Sequence, residues 1–449
     1  MSDIIITPDS DLTALFAKHG GGKTYIFEDG VYSSFPMPPS DIGTGLTIIK
    51  ARTDGKAVLP NIRIDRRSDI QIEGFILRHH TVSIMSSDRI ILKRLGLKNP
   101  CPPNDRYGEA INISDDSSYC LVEDCFIIGS FVYGVIVQRG AHHVTCRRVV
   151  TRFDGNAERE PKAGICFYGE IPGDIVGAHD CLAEECIAVD YNGGENLIAG
   201  VSMPHGPISN TIRNCITLNS KCAGYYLTQH SPGGGILLED SVAWNVREAG
   251  AVIRDGDPQK MVIVTNLQTN HPMPIGNWSE GGTRPEMLIN TSSTPWLPPI
   301  TWPFLQEERI HALASEPDDF EYPLTNWEGK PFNLVNDTKR GFAADGMTLT
   351  RYIHEAIGLP LQEATPGPAP TPEPTFPTVD AQVGPTTSSP QPKRPPLYGV
   401  LAYYDYGLNP RWRSPVEWYE TLEGAQKLAQ NLSYRYPQHL RFIVKVPGE

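Results

Sequence analysis

Residues 117–154 read SSYCLVEDCFIIGSFVYGVIVQRGAHHVTCRRVVTRFD. Two short apolar strands flank the polar pair Glu123–Asp124. An alternating strand led by Gly134 follows, and then the two-strand unit returns as HHVTCRRVVTRFD. No 3.6-residue period runs through the stretch; short alternating or apolar runs separated by turns read as strands.

Working outward finds the same unit along the first 275 residues: SDIQIEGFILRHH (68–80), SDRIILKRLGLKN (87–99), HDCLAEECIAVD (179–190), ISNTIRNCITLN (208–219), GILLEDSVAWN (235–245) and MVIVTNLQTN (261–270). The residue after the polar pair forms a column: Phe75, Leu95, Cys125, Val150, Cys186, Cys215, Ser241 and Asn266, with steps averaging about 27 residues. Four residues on lies a second column: His79, Asn99, Gly129, Asp154, Asp190, Asn219, Asn245 and Asn270. Asn, Asp and Gly tolerate left-handed backbone, so the second column reads as a stacked turn ladder. A third column of glycines, Gly134, Gly164, Gly200, Gly224 and Gly250, opens strands whose next and third-next residues are apolar. Each repeat thus carries three short strands. It cannot bury its apolar face alone, but a stack of repeats can.

This pattern resembles the pectin-lyase-like superfamily of right-handed parallel β-helices. The resemblance covers about 20–275 and includes the opening DLTALFAKHGGGKTYIFEDG, where a short amphipathic helix (11–19) would cap the N-terminal end of the core. The fold class expected is mainly β: a right-handed parallel β-helix over 1–275, an irregular cap or side elaboration on its C-terminal end over 276–363 with one short helix at TLTRYIHEAIG (348–358), a Pro-rich tether over 364–396 and a small α+β module over 397–449. The tether holds 11 prolines in 33 positions, and such composition favours extended backbone. In the module, strands LYGVLAYYDY and LRFIVKV bracket a helix-forming run, with Tyr398, Tyr403, Tyr404, Tyr406, Trp412, Trp418 and Tyr419 as a dense aromatic set.

Composition narrows the function. Lys and Arg total 39 against 52 Asp and Glu, a net charge of −13. No nucleic-acid partner is expected, because such binding draws on Lys and Arg. No run of 18 apolar residues occurs, so no membrane insertion is expected. The N-terminus MSDIIITPDSDL has no basic-then-apolar signal pattern. Nine cysteines without a CxxC pair read as reduced thiols rather than a disulfide framework or zinc site. GGGKT (20–24) lacks the first glycine of a phosphate loop, because Ala17 stands there, and it follows a helix instead of a strand. It reads as a turn. Asp154 and Asp190 are a Ca²⁺ alternative to the turn ladder, and the ladder is the preferred reading. His79/His80 and His142/His143 read as surface or turn histidines. No metal or other cofactor is expected.

The candidate site is the outer side of the Gly-led strands. Alternation turns Gln138, Tyr168, Ser202, Tyr226, Thr228 and Arg254 outward, with Arg139, His205, His230 and Asp255 at the adjoining turns. Flat rings suit the C–H faces of sugars, while Arg and hydroxyls suit their polar edges. Arg139, Tyr168, Tyr226 and Thr228 are the expected binding residues. His205, His230, Arg254 and Asp255 are the expected catalytic set for proton transfer beside a uronate carboxylate. The resemblance transfers no catalytic residue, because the chain carries no Lys/Arg-plus-acid signature of characterised pectate lyases. Three functions follow. The first is a phage virion component, a tail spike or fibre, whose β-helix binds or trims bacterial surface polysaccharide; it would be cytoplasmic before assembly, and family analogy makes it a homotrimer. The second is a free polysaccharide lyase, epimerase or glycoside hydrolase. The third is a non-catalytic structural or adaptor protein. In each, residues 397–449 grip a protein partner.

Overall fold

The computed structural model describes residues 3–40, 45–101, 108–153, 163–169, 177–190, 201–203, 210–220, 223–229, 236–256, 261–277, 286–293, 297–298, 303–316, 347–360, 397–404, 411–412, 418–419 and 440–446. The chain divides into two compact units, Met1–Gly367 and Pro368–Glu449.

The first unit is a parallel β-helix with three faces. Strands such as Ser68–Glu73, Asp88–Lys93, Leu121–Glu123 and Thr145–Arg147 stack in parallel on the first face. Ile76–Arg78, Gly96–Lys98, Phe126–Gly129 and Val150–Phe153 stack on the second. The third face holds nine strands, from Ile62–Asp65 to Ile275–Asn277. Register is kept from coil to coil. Ile72, Leu92, Val122, Cys146, Ala183, Ile212, Leu238 and Val264 are successive partners, and all are fully buried. Stacking identical positions is how a unit too thin to bury its own side chains makes a continuous core.

One left-handed residue turns each coil from the first face to the second. Arg94, Asp124, Arg148, Glu185, Asn214, Asp240 and Asn266 all have φ between 47° and 55°. The next residue points inward, and the true column is Phe75, Leu95, Cys125, Val149, Cys186, Cys215, Ser241 and Leu267. The strand pairs Phe126↔Val150 and Val242↔Gln268 fix this. The sequence column therefore slips by one residue at Val150 and at Asn266. Val150 faces outward, and Asn266 is itself the left-handed turn residue. Cys125, Cys186 and Cys215 are buried inside, at 1%, 3% and 3% exposure, as the columns imply. A buried thiol is small and weakly polar, so it stacks without requiring a strong hydrogen-bond partner.

The turn ladder at the end of the second face is present. The amide of Asn219 donates to Asp190 Oδ1 at 3.0 Å, that of Asn245 to Asn219 Oδ1 at 3.1 Å, and that of Asn270 to Asn245 Oδ1 at 2.8 Å. His79, Asn99, Asp190, Asn219 and Asn245 have the positive φ expected of this corner. Gly129 pairs with Phe153, so Asp154 follows the ladder position; it lies outside the described residues. Among the described residues, no group of three or more His, Cys, Asp or Glu side chains is suited to a metal.

A short helix packs at the N-terminal end of the core. Asp11 caps the helix Leu12–His19 by accepting from the Ala14 N–H at 3.0 Å, and Leu12 and Phe16 are buried. Phe16 meets Tyr25 edge-to-face at 5.0 Å. Gly20 ends this helix with φ 68°, so GGGKT is its exit turn. Among the described residues, no helix is long and apolar enough to cross a membrane.

Among the described residues, region 276–363 combines a further stacked strand with two helices. The strand Glu286–Ser292 still pairs in parallel with Met261–Thr269, so coil stacking continues past 275. The helices Pro303–Ala314 and Leu349–Ile357 lie along the side of the solenoid, where Ile310, Leu313, Leu349, Ile353 and Ile357 pack on Phe126, Val150, Ile187, Ile216 and Val242. This explains why the second-face strands FIIG, IAV, ITL and VAW are apolar without alternation: both of their sides are covered. Thr348 caps the second helix, accepting from Arg351 N–H at 3.2 Å, and Gly358 ends it in a left-handed conformation. Arg78 pairs with Glu316 at 2.6 Å, and Arg309 donates to the Arg94 carbonyl at 2.9 Å. The second unit contains an antiparallel sheet in which Leu397–Tyr404 pairs with Leu440–Val446. The Pro-rich segment, and the helix expected inside the module, lie outside the described residues.

Candidate functional site on the third face

The outer side of the third face carries a polar cluster near its middle. Alternation in EAINIS points Ile111 and Ile113 into the core and Asn112 away from it. The next coil brings Gln138, which follows Val137, the partner of Ile113. The Gln138 amide donates to Glu109 Oε1 at 3.1 Å and to Asn112 Oδ1 at 3.3 Å. The Asn112 amide donates to the other Glu109 oxygen. Two amides on successive coils therefore hold one half-buried carboxylate. An ionised carboxylate only accepts hydrogen bonds, through about four lone-pair sites, so it suits a ligand rich in hydroxyl donors.

Tyr133 is paired with Glu109 in register, and the following coil supplies Tyr168. Both rings pack on Ile136, Ala163 and Cys166. Burial, helped by the neighbouring Cys166, Tyr168 and Glu109, pushes the Tyr133 phenol well above the ordinary tyrosine range. It therefore stays protonated at neutral pH and can donate, while Glu109 can only accept once ionised. A carboxylate, two amides and two phenols on adjacent coils can bind a polyhydroxylated ligand.

Register places the residues expected from sequence as follows. Tyr168 adjoins Gln138 across the coils, since Val137 pairs with Phe167. Thr228 pairs with Arg254 farther along the same face. Asp255 falls where the register slips beyond Thr228. Arg139 stands at the corner after the strand, left-handed at φ 52° and exposed, with Asp115 at 3.8 Å. His205 and His230 lie outside the described residues.

Tyr226 differs from expectation. It occupies the other outward column, paired with Ser202 and Val252, and is only 7% exposed, packed with Ala223, Ala249 and Val252. Three other outward positions of this column are covered as well: Ile136 is 2% exposed, and Cys166 and Val252 are fully buried. Alternation gives the direction of a side chain, and what lies above it decides its exposure.

Sequence reasoning missed Glu109, Asn112 and Tyr133. The Gly-led column began at Gly134, whose counterpart in the strand Glu109–Ser114 is Ala110, so that strand went unread. Its own alternation, Ile-Asn-Ile-Ser, was the available signal.

No family model matches the sequence, and no curated protein matches it. Among solved structures it is similar to PfbA, a surface adhesin of Streptococcus pneumoniae, at 11% identity over 63% of this chain and 89% of that one, with a TM-score of 0.37. It is similar to the catalytic domain of a GH87 alpha-1,3-glucanase in complex with nigerose at 13% identity, over 65% of this chain and 68% of that one, with a TM-score of 0.40. It is also similar to the PL6 family alginate lyase AlyGC at 14% identity, over 62% of this chain and 40% of that one, with a TM-score of 0.37. These likenesses carry no argument about activity.

Proposed function

We propose that this protein binds a polysaccharide along the outer side of its third face. The observation that supports this is the Glu109 carboxylate, held by the Gln138 and Asn112 amides next to the Tyr133 and Tyr168 rings. Sugar hydroxyls find fixed acceptors and donors there, and sugar C–H faces find rings. Arg139, Thr228 and Arg254 extend the strip along the stack as further contacts. Affinity electrophoresis in gels cast with bacterial surface polysaccharides tests the reading. Wild type should be retarded, and a Gln138→Ala/Tyr168→Ala variant should run as in a gel without polysaccharide. Equal retardation of both proteins would refute it.

Turnover by the same strip, as a polysaccharide lyase or glycoside hydrolase, is a separate proposal with His205, His230, Arg254 and Asp255 as its candidate groups. Release of unsaturated or reducing ends from the retarding polysaccharide, lost in Arg254→Ala, supports it. Binding without product leaves a binding protein.

A second reading concerns assembly. The division into Met1–Gly367 and Pro368–Glu449, with 11 prolines between 364 and 396, suits a β-helix fastened to a larger particle through its C-terminal unit. A phage virion is the particle we propose. Mass spectrometry of purified virions encoding this chain should recover it in stoichiometric amount, and its absence from them would remove this reading.

A further inference from the structure

The corner between the second and third faces carries a different polar arrangement. Where the coils containing Asn219, Asn245 and Asn270 leave the second face, they border an open groove of about 540 Å³. Its floor is Val246, 6% exposed, and Pro272 forms part of its wall. The amides of Asn245 and Asn270 each donate one N–H within the ladder, at 3.1 and 2.8 Å. Each amide nitrogen has two N–H groups, so a second donor on each residue is left outside the ladder. The Asn245 backbone N–H also donates to Asn270 Oδ1 at 2.9 Å, so two bonds hold these side chains next to each other.

Arg247 supplies the charge. Its carbonyl accepts from His271 Nε2–H at 3.0 Å, while His271 Nδ1 accepts the Met273 N–H at 3.1 Å. These two bonds hold the backbone of the rim. The exposed Arg247 guanidinium, by contrast, makes no ion pair or hydrogen bond among the described residues. Arg94, Arg147, Arg148 and Arg213, on the corner between the first two faces, are all paired with carboxylates. Arg247 thus leaves an unneutralised cation on a chain of net charge −13, beside a short apolar floor and two aligned amide donors.

We infer that this groove is a subsite for an anionic sugar, a hexuronate. Its carboxylate would pair with Arg247, its ring oxygens and hydroxyls would accept from Asn245 and Asn270, and its C–H face would lie on Val246 and Pro272. The ligand class rests on the polysaccharide reading above, but the groove is separate from the third-face cluster and can fail independently of it. A guanidinium fork matches a carboxylate in two parallel hydrogen bonds, which a neutral hexose lacks.

The test titrates the full chain with sodium glucuronate, a galacturonate trimer and glucose, read by calorimetry and by ligand-detected NMR. The uronates should bind and glucose should bind at least about tenfold more weakly, the usual cost of losing a charge-assisted hydrogen bond. Arg247→Ala should remove that preference with its melting temperature unchanged, because the side chain is exposed. Arg247→Lys should restore part of it, and raised salt should weaken uronate binding. The Gln138→Ala/Tyr168→Ala variant should bind free uronate as wild type does. Uronate affinity unchanged in Arg247→Ala, or no uronate binding by wild type, overturns the subsite. If wild type still shows Tyr168-dependent retardation in polysaccharide gels in that case, the third-face reading stands without it.

Discussion

The Tyr352 hydroxyl donates to Asp190 Oδ1 at 2.6 Å, joining the lateral helix to the turn ladder, and the same oxygen accepts from Asn219. Burial raises the Asp190 carboxyl above its ordinary 3.8, against the lowering effect of these two hydrogen bonds and of the nearby Arg152. A carboxyl raised in the folded state contributes most stability in acid, and that contribution is lost as pH rises through the folded value. Tyr352→Phe removes one lowering bond and raises the folded value further, so the loss grows. Urea unfolding should show the variant about 1–3 kcal/mol less stable at neutral pH. The difference should shrink as pH falls through the Asp190 range. A difference that is the same at every pH would show that Asp190 does not sense the phenol.

Gly224 should not tolerate a side chain. A Cβ there would stand 2.5 Å from Ala243 Cβ and 2.7 Å from the carbonyl oxygen of Gly250, on the next coil. Gly134 and Gly250 meet the following coil in the same way. Gly224→Ala should cost about 1–3 kcal/mol, the range for overpacking a close-packed interior. Thermal unfolding measures this, and a wild-type melting temperature would contradict the close approach.

The thiols should be silent until the chain unfolds. Among the described residues, eight cysteines are free and buried. Burial pushes Cys120, Cys125 and Cys181 up to about 12, and Cys146 and Cys215 are also raised well above the ordinary value. The thiolate is the reactive form. Iodoacetamide at pH 8 should leave these eight unmodified in the native protein and label them in denaturant, as counted by intact mass. Cys186→Asp should prevent folding, because it would place a charge in the interior stack.

Tyr226→Ala should act through stability before it acts through binding. The ring fills space among Ala223, Ala249 and Val252, and truncating a buried aromatic typically costs about 3–5 kcal/mol. Unfolding curves should show that loss. A variant as stable as wild type would mean the ring stands in solvent, as alternation alone suggests.

The parallel stack was legible because it needs only repetition. Cys125, Cys186 and Cys215 recur at one structural position, and Asn99, Asp190, Asn219 and Asn245 at another, whatever the lengths of the intervening loops. The slip at Val149/Val150 has a local cause: Val-Val offers two equivalent candidates for the inward position, and only pairing with Phe126 decides between them. One of the two lateral helices was legible, as the short helix expected at 348–358, but its docking site was not. Its signal was the unbroken apolarity of Phe126–Gly129 and Ile187–Val189, which a strand open to water on one side would not keep. The third-face cluster was half legible. Gln138 and Tyr168 follow from alternation, whereas Glu109 joins them through a hydrogen bond across coils, which no period encodes.

A stack in which each coil touches only its neighbours can peel open from either end, one layer at a time. The two helices on the second face change this, because they grip layers far apart: Glu316 holds Arg78, Arg309 holds Arg94, and Tyr352 holds Asp190. They act as a splint across the grain of the sheet. Pulling on the termini would load this splint before the layers beneath it could separate, so resistance to force should reside in the middle of the molecule, with the first and last layers yielding early.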